Sequence, residues 1–268
     1  MGLAGQLVAW PVEFCEKLVA RGHFVIRFDN RDVGLSTKME DAGLPRVMAA
    51  LGQYRNGRPV NAPYTLSDMA LDAIGLMDAL GIERAHVCGL SMGGMIVQTM
   101  AGTHPERVRS LISMECGTGD PTLPPPSPEA IRAMMSPPPQ DRTGNIEHMV
   151  GVMRAFSGGS PLFDANVERH AAELSYDRSF YPVGFARQLT AIYASGNRTQ
   201  QLGSVSAPTL VIHGAADPLA PLEHGKATAA AINGAKLFVI QGLGHGISYP
   251  ALWDTIVDEI AAHTARAS

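Results

Sequence analysis

Ser91, Asp217 and His245 are the residues whose types and surroundings could together cleave an acyl bond. A serine hydroxyl is a weak nucleophile at neutral pH, so a histidine must take its proton. A carboxylate must then fix the imidazole tautomer and stabilise the imidazolium. Ser91 stands in Gly89-Leu90-Ser91-Met92-Gly93, after the apolar run His86-Val87-Cys88 and before Met92, Met95, Ile96 and Met100 at helical spacing. His104-Pro105 stops that helix. Among 28 glycines a chance Gly-x-Ser-x-Gly is easily found, but one between a strand and a helix reads as a nucleophile elbow. The flanking glycines are expected because strand and helix backbones approach too closely for a Cβ.

An elbow requires an acid and then a histidine, each in a loop after a later strand. Thr209 to Gly214 reads as a strand, and Asp217-Pro218 follows it. Lys236 to Ile240 reads as another, followed by Gly242-Leu243-Gly244-His245-Gly246. Taken singly, Ser91 could be a small residue at a tight turn, Asp217 a turn aspartate and His245 a surface loop histidine. Their chain order, with each behind its own strand, favours the joint reading. Of nine histidines, His245 alone is flanked by glycines after a late strand; His213 precedes the acid and breaks the order. With an ordinary imidazole pKa of about 6.5, activity should fall in acid as His245 is protonated.

The positioning elements follow from periodicity. Pro11 to Arg21 reads as a helix and Phe24 to Phe28 as a strand. Leu66 to Leu80 carries an apolar helical stripe, with Thr65 and Asp68 as a capping box and Gly81 as a stop. Leu111 to Met114 is a further strand. Strands alternating with helices imply an α/β architecture with a mostly parallel sheet, and a ligand site beyond the carboxyl ends of the strands. Asp29-Asn30-Arg31-Asp32 is expected to be a structural loop whose charges pair with one another, because no histidine or cysteine joins it at metal spacing.

Between about 117 and 205 this rhythm breaks. Pro121, Pro124, Pro125, Pro126, Pro128 and Pro137-Pro138-Pro139 punctuate helix-like segments rich in methionine and aromatic residues. Met134, Met153 and Phe156 are the substrate-binding candidates here, although any single one could simply pack. As a group they suit an apolar acyl or ring portion.

The elbow, the His213-Gly214-x-x-Asp217-Pro218 loop and the Gly244-His245-Gly246 loop resemble the α/β-hydrolase superfamily. Trp10-Pro11-x-Glu13-Phe14, Arg27-Phe28-Asp29-Asn30-Arg31-Asp32-x-Gly34-x-Ser36 and His224-Gly225-Lys226 are similar to the bacterial aclacinomycin methylesterase group. The resemblance implies a hydrolase core over 1–116 and 206–268 and a helical cap over 117–205 that covers Ser91. It also implies an oxyanion hole, with one donor from Met92 and the other from the first loop at Leu3. Carboxylic ester hydrolysis is the expected reaction, extending to methyl esters of polycyclic compounds. The alternatives are a lactonase acting on acyl-homoserine lactones and a non-catalytic ligand-binding protein. Serine at the nucleophile position argues against the dehalogenase and epoxide hydrolase branches, which use aspartate there. The N-terminal strands usual in the superfamily are expected to be missing. About five core strands should remain; either the numbering begins downstream of the natural start, or the gap is closed by rearrangement or by a partner chain, as in a homo-oligomer.

Composition bounds the rest. With 268 residues, 46% of them hydrophobic, the chain suffices for one sizeable core and a small cap. A net charge of −4 without a basic block argues against nucleic acid, and no apolar stretch reaches membrane-spanning length. Cys15, Cys88 and Cys116 form no metal pattern, and with no visible signal peptide they read as reduced thiols in a cytoplasmic protein. There is no dinucleotide fingerprint or P-loop, so no cofactor or metal is implied. The expected partner is a small ester or lactone.

Overall fold

The computed structural model describes residues 1–267. Its centre is a parallel sheet of four strands, β1 (Ala85–Leu90), β2 (Val108–Met114), β3 (Thr209–Gly214) and β4 (Lys236–Ile240), in the spatial order β1-β2-β3-β4. Alternation along the strands supplies two apolar faces. Val87 and Leu111 point to one side, under α3 (Leu66–Ala79) and α4 (Met92–Thr103). Leu90, Ile112, Leu210 and Ile212 point to the other, against Phe14 of α1 (Val12–Val19) and Trp253, Ile256 and Ile260 of α11 (Trp253–Arg266). The sheet is thus covered on both faces, as a parallel sheet requires. Thr65 and Asp68 form the expected capping box at the start of α3.

Two expectations are corrected. Phe24 to Phe28 is not a strand, and four core strands stand where about five were expected. A strand exists only by pairing. Among the described residues β1 is hydrogen-bonded to β2 alone, and Phe24, with no strand beside it, is 90% exposed. Side chains hold this segment instead: Arg27 Nη1 donates to Trp10 O at 2.5 Å. Cys88, on the edge strand β1, is exposed rather than part of the core.

Besides α2 (Val47–Arg55) and α10 (Leu222–Ala231), the remaining helices lie between β2 and β3. They are α5 (Pro128–Met135), α6 (Arg142–Phe156), α7 (Ala165–Arg178), α8 (Val183–Ser195) and the short α9 (Thr199–Leu202). The charges of the Asp29-to-Asp32 loop pair with other elements and not with one another, contrary to the sequence reading. Asp29 accepts from Arg178 of α7 at 2.8 Å, and Arg31 bonds Asp72 of α3 at 2.6 and 2.7 Å. Asp32 takes both arms of the buried Arg187 of α8 at 2.9 and 2.8 Å. The loop is therefore a seat for α7 and α8. Among the described residues no helix is long and apolar enough to cross a membrane.

Candidate active site

Backbone bonds between neighbouring strand ends gather the candidate residues. Ser91 N donates to Met114 O, Glu115 N to Ile212 O and Ala215 N to Ile240 O, each at 2.9 Å. The residues that follow β1, β2 and β3 therefore emerge side by side at the carboxyl edge of the sheet.

Ser91 has φ 56° and ψ −123°, a left-handed conformation rare for a residue with a side chain. A Cβ at Gly89 would stand 2.1 Å from Gly93 O, which explains the first glycine of the elbow. The second has a different cause: a Cβ at Gly93 would meet Met1 O at 2.7 Å, so the first loop, and not β1, demands it. That loop also lies over the nucleophile, since a Cβ at Gly2 would be 3.2 Å from Ser91 Cβ and 3.7 Å from its Oγ. Strain concentrates here. The non-glycine residues with positive φ are Ala4, Asp32, Ser91 and Glu115, which lie in the first loop, the α8 seat and the ends of β1 and β2.

Asp217 and His245 are both buried and hydrogen-bonded, with Nδ1 2.8 Å from Oδ2. The carboxylate can only accept, so Nδ1 carries a proton, and in the neutral ring Nε2 is the nitrogen with the free lone pair. The other Asp217 oxygen accepts from Leu219 N and Ala220 N at 2.9 and 2.8 Å, which fixes the carboxylate in its turn. The Ser91 hydroxyl makes no hydrogen bond to His245 among the described residues, and such contacts commonly tighten only with substrate bound. His213 is also close, with Nε2 3.8 Å from Asp217 Oδ2, but it donates to Ala220 O at 2.6 Å and burial lowers its pKa.

The α6 end of the inserted segment rests on the histidine loop. His245 N donates to Phe156 O at 2.8 Å, and the Phe156 ring meets the imidazole edge-on at a centroid distance of 5.8 Å. The Met153 methyl would be 3.1 Å from a Cβ at Gly246. Met134, half-buried on α5, makes none of these contacts among the described residues. Other aromatic residues of the segment pack structurally: Tyr193 stacks on Tyr54, and Phe163 lies under Arg154. Two surface cavities, about 420 Å³ beside α2 and about 590 Å³ beside Pro218, are lined by neither Ser91 nor His245.

Two buried acids escaped the sequence reading. Glu115 follows β2, is fully buried, and accepts from Gly246 N at 2.6 Å. Glu168 on α7 is buried, which raises its pKa to about 7 against a bond with Ser248. The position of Glu115, directly after an apolar strand, was the signal available for it; Glu168 had none. Among the described residues Glu115, Asp217 and His245 are the group whose ligand-type atoms lie within 4.8 Å of one another. Of these atoms, His245 Nδ1 and Asp217 Oδ2 bond each other and Glu115 Oε2 accepts from Gly246 N, while Glu115 Oε1 has no partner among the described residues.

Burial alone would lower the His245 pKa, but the Asp217 carboxylate, by charge and hydrogen bond, and that of Glu115 outweigh it and raise it to about 9. Burial also pushes the Glu115 carboxyl up, against the pull of the His245 charge. The charged imidazole therefore stabilises the fold fully below its ordinary 6.5, and this contribution is lost as pH rises through about 9. The acid limb of any activity that needs neutral His245 should accordingly lie above the 6.5 read from sequence. A pH profile of kcat/KM with its lower midpoint at or below 6.5 would contradict this.

The family described as alpha/beta hydrolase fold matches residues 2–251. The chain is similar to rhodomycin D methylesterase of Streptomyces peucetius, at 29% identity over 97% of this chain and 87% of the relative. It is also similar to a 2-hydroxy-6-oxononadienedioate/2-hydroxy-6-oxononatrienedioate hydrolase of Cupriavidus pinatubonensis, at 30% identity over 86% of this chain and 72% of the relative. A solved meta-cleavage product hydrolase from Pseudomonas fluorescens shares the fold, with a TM-score of 0.75, 21% identity, and coverage of 100% of this chain and 88% of that one. The left-handed serine at a strand-to-helix turn, the parallel sheet and these likenesses agree, and the chain belongs to the α/β-hydrolase fold family, as a hydrolase with methylesterase-like relatives.

Proposed function

We propose that the chain hydrolyses carboxylic esters through an acyl-enzyme on Ser91, with His245 as general base and Asp217 as its orienting acid. The observation that carries this reading is the buried 2.8 Å bond between His245 Nδ1 and Asp217 Oδ2, together with a serine held at φ 56° at the head of α4. That bond leaves Nε2 to take the serine proton as Oγ attacks the ester carbonyl. The imidazolium then protonates the leaving alcohol, and a water activated by the same nitrogen releases the acid. The N–H groups of Met92 and Leu3 are the proposed oxyanion donors. Neither donates to a protein acceptor among the described residues, and Gly2 overlies Ser91. Gln188 of α8 supports that loop by accepting from Ala4 N at 2.8 Å and donating to Arg31 O at 2.7 Å. One such donor contributes about 3 kcal/mol to the transition state.

The helices between β2 and β3 act in this reading as a cap. Met153 and Phe156 offer soft apolar surface at His245, which suits an apolar acyl or ring portion. The likeness to a rhodomycin methylesterase favours methyl esters of ring-bearing compounds. The deciding experiment incubates the protein and Ser91→Ala with p-nitrophenyl esters, a polycyclic methyl ester and long-chain acyl lactones. Serine-dependent ester turnover is expected. Faster lactone turnover would make it a lactonase, and binding without serine-dependent turnover would overturn the enzyme reading. Truncating Phe156 to alanine keeps its backbone acceptor for His245. It should shift acyl-chain preference, measured as kcat/KM along an ester series, more than it shifts turnover of the smallest ester. The same test on Met134 should give a smaller shift, because Met134 lacks the His245 contact. An unchanged preference in both variants would remove the cap from substrate selection.

A further inference from the structure

The histidine loop faces two acids, of which the proposed mechanism uses one. Glu115 is fully buried at the end of β2, in a left-handed conformation at φ 49°. Its Oε2 accepts from Gly246 N at 2.6 Å and lies 3.9 Å from His245 Nδ1. Its Oε1 has no hydrogen-bond partner among the described residues. A buried carboxyl with one unsatisfied oxygen costs stability, and the fold also bears a strained backbone to hold it there. We propose that Glu115 is a positioning residue for His245: it pins the loop through Gly246 and serves as a second carboxylate that favours the imidazolium.

The inference rests on the Ser91–His245 reading, and it concerns the charge around the base rather than the attacking group. Protonated, Glu115 adds no field. Ionised, it faces the imidazolium at less than 4 Å inside the protein, a separation that ordinarily shifts a pKa by about one to three units. The two protons are therefore shared between the sites and leave in coupled steps. The other titratable groups facing the cluster are Asp217, His213, Cys116 and Tyr249, with Glu168 acting on Tyr249 from α7. None of these but Asp217 lies in hydrogen-bond contact with His245.

Glu115→Gln keeps the shape and the acceptor for Gly246 N while removing the charge. The test follows the His245 ring by NMR titration in the full-length protein and in this variant, alongside the pH profile of kcat/KM on a p-nitrophenyl ester. The His245 midpoint should fall by about one unit or more in the variant, and the acid limb of kcat/KM should move down with it. Plateau kcat should change by less than about tenfold, because Asp217 still orients the ring. An unchanged His245 midpoint overturns the proposal, as does a limb that moves while the midpoint does not. If the variant does not fold, the wild-type titration decides: two coupled steps in the His245 shifts support the proposal and a single step overturns it. Ser91→Ala separates the two readings. Retained turnover there refutes the nucleophile, whereas the His245 titration reports on Glu115 in either case.

Discussion

Ser91→Ala should lower kcat by about 10⁶-fold, the scale on which loss of a serine nucleophile is felt in enzymes that use this chemistry. The residue removed is a hydroxyl on a half-buried side chain with no hydrogen bond to His245, so little of the fold depends on it. Alanine accepts φ 56° no worse than serine, and the Gly89 and Gly93 approaches that shape the elbow are untouched. The melting temperature should therefore stay within a few degrees of the parent. What remains of the rate, about 10³-fold over water, would come from binding and the oxyanion donors alone. An organophosphate should label Ser91 and no other serine in the parent, and nothing in the variant. Mass spectrometry of the labelled peptide and steady-state turnover check both statements. A label on another serine, with turnover preserved in the variant, would move the nucleophile elsewhere.

The elements that carry strong periodicity were legible in the sequence. The α3 stripe and its Thr65–Asp68 cap, β3, β4 and the strand-to-helix turn at Ser91 all stand where the pattern put them. Each of these is specified locally. Phe24 to Phe28 shows the limit, because its apolar character says nothing about whether another backbone lies beside it. The charged loop from Asp29 to Asp32 shows the same limit for side chains. Four charged or polar residues in a row invite pairing within the loop, yet the partners are Asp72, Arg178 and Arg187, up to 155 residues away. Glu115 was missed because a lone acid after a strand looks like any loop residue. Only the parallel register, which sets Glu115 N on Ile212 O, brings it under Gly246 and beside Asp217. Long-range geometry of this kind has no sequence period.

Arg187→Met should cost roughly 3–5 kcal/mol, the usual penalty for leaving one partner of a buried ion pair without the other. Arg187 is 1% exposed on α8 and Asp32 is likewise 1% exposed. Besides the two bonds to Asp32, the guanidinium donates to Gly43 O at 2.9 Å and to Tyr181 Oη at 2.6 Å, while Tyr64 Oη donates to Asp32 at 2.7 Å. Methionine fills much of the arginine stem but strands the Asp32 charge. Burial pushes the Asp32 carboxyl up, but the bonds from Arg187, Met39 N and Tyr64 outweigh it and hold its pKa below 3.8. Its contribution to stability is therefore present above that value and is lost as pH falls through the lowered one. Asp32→Asn introduced alongside Arg187→Met should recover most of the loss, because asparagine tolerates φ 68° and keeps the acceptor for Met39 N without the charge. Urea denaturation of the single and double variants measures this directly. A single variant within about 1 kcal/mol of the parent would show that the pair is not the anchor of α8. Turnover should fall with stability in the single variant, because the neighbouring Gln188 holds the first loop at Ala4, next to the proposed Leu3 donor. In the double variant the loop should return to its seat, and kcat should return with it.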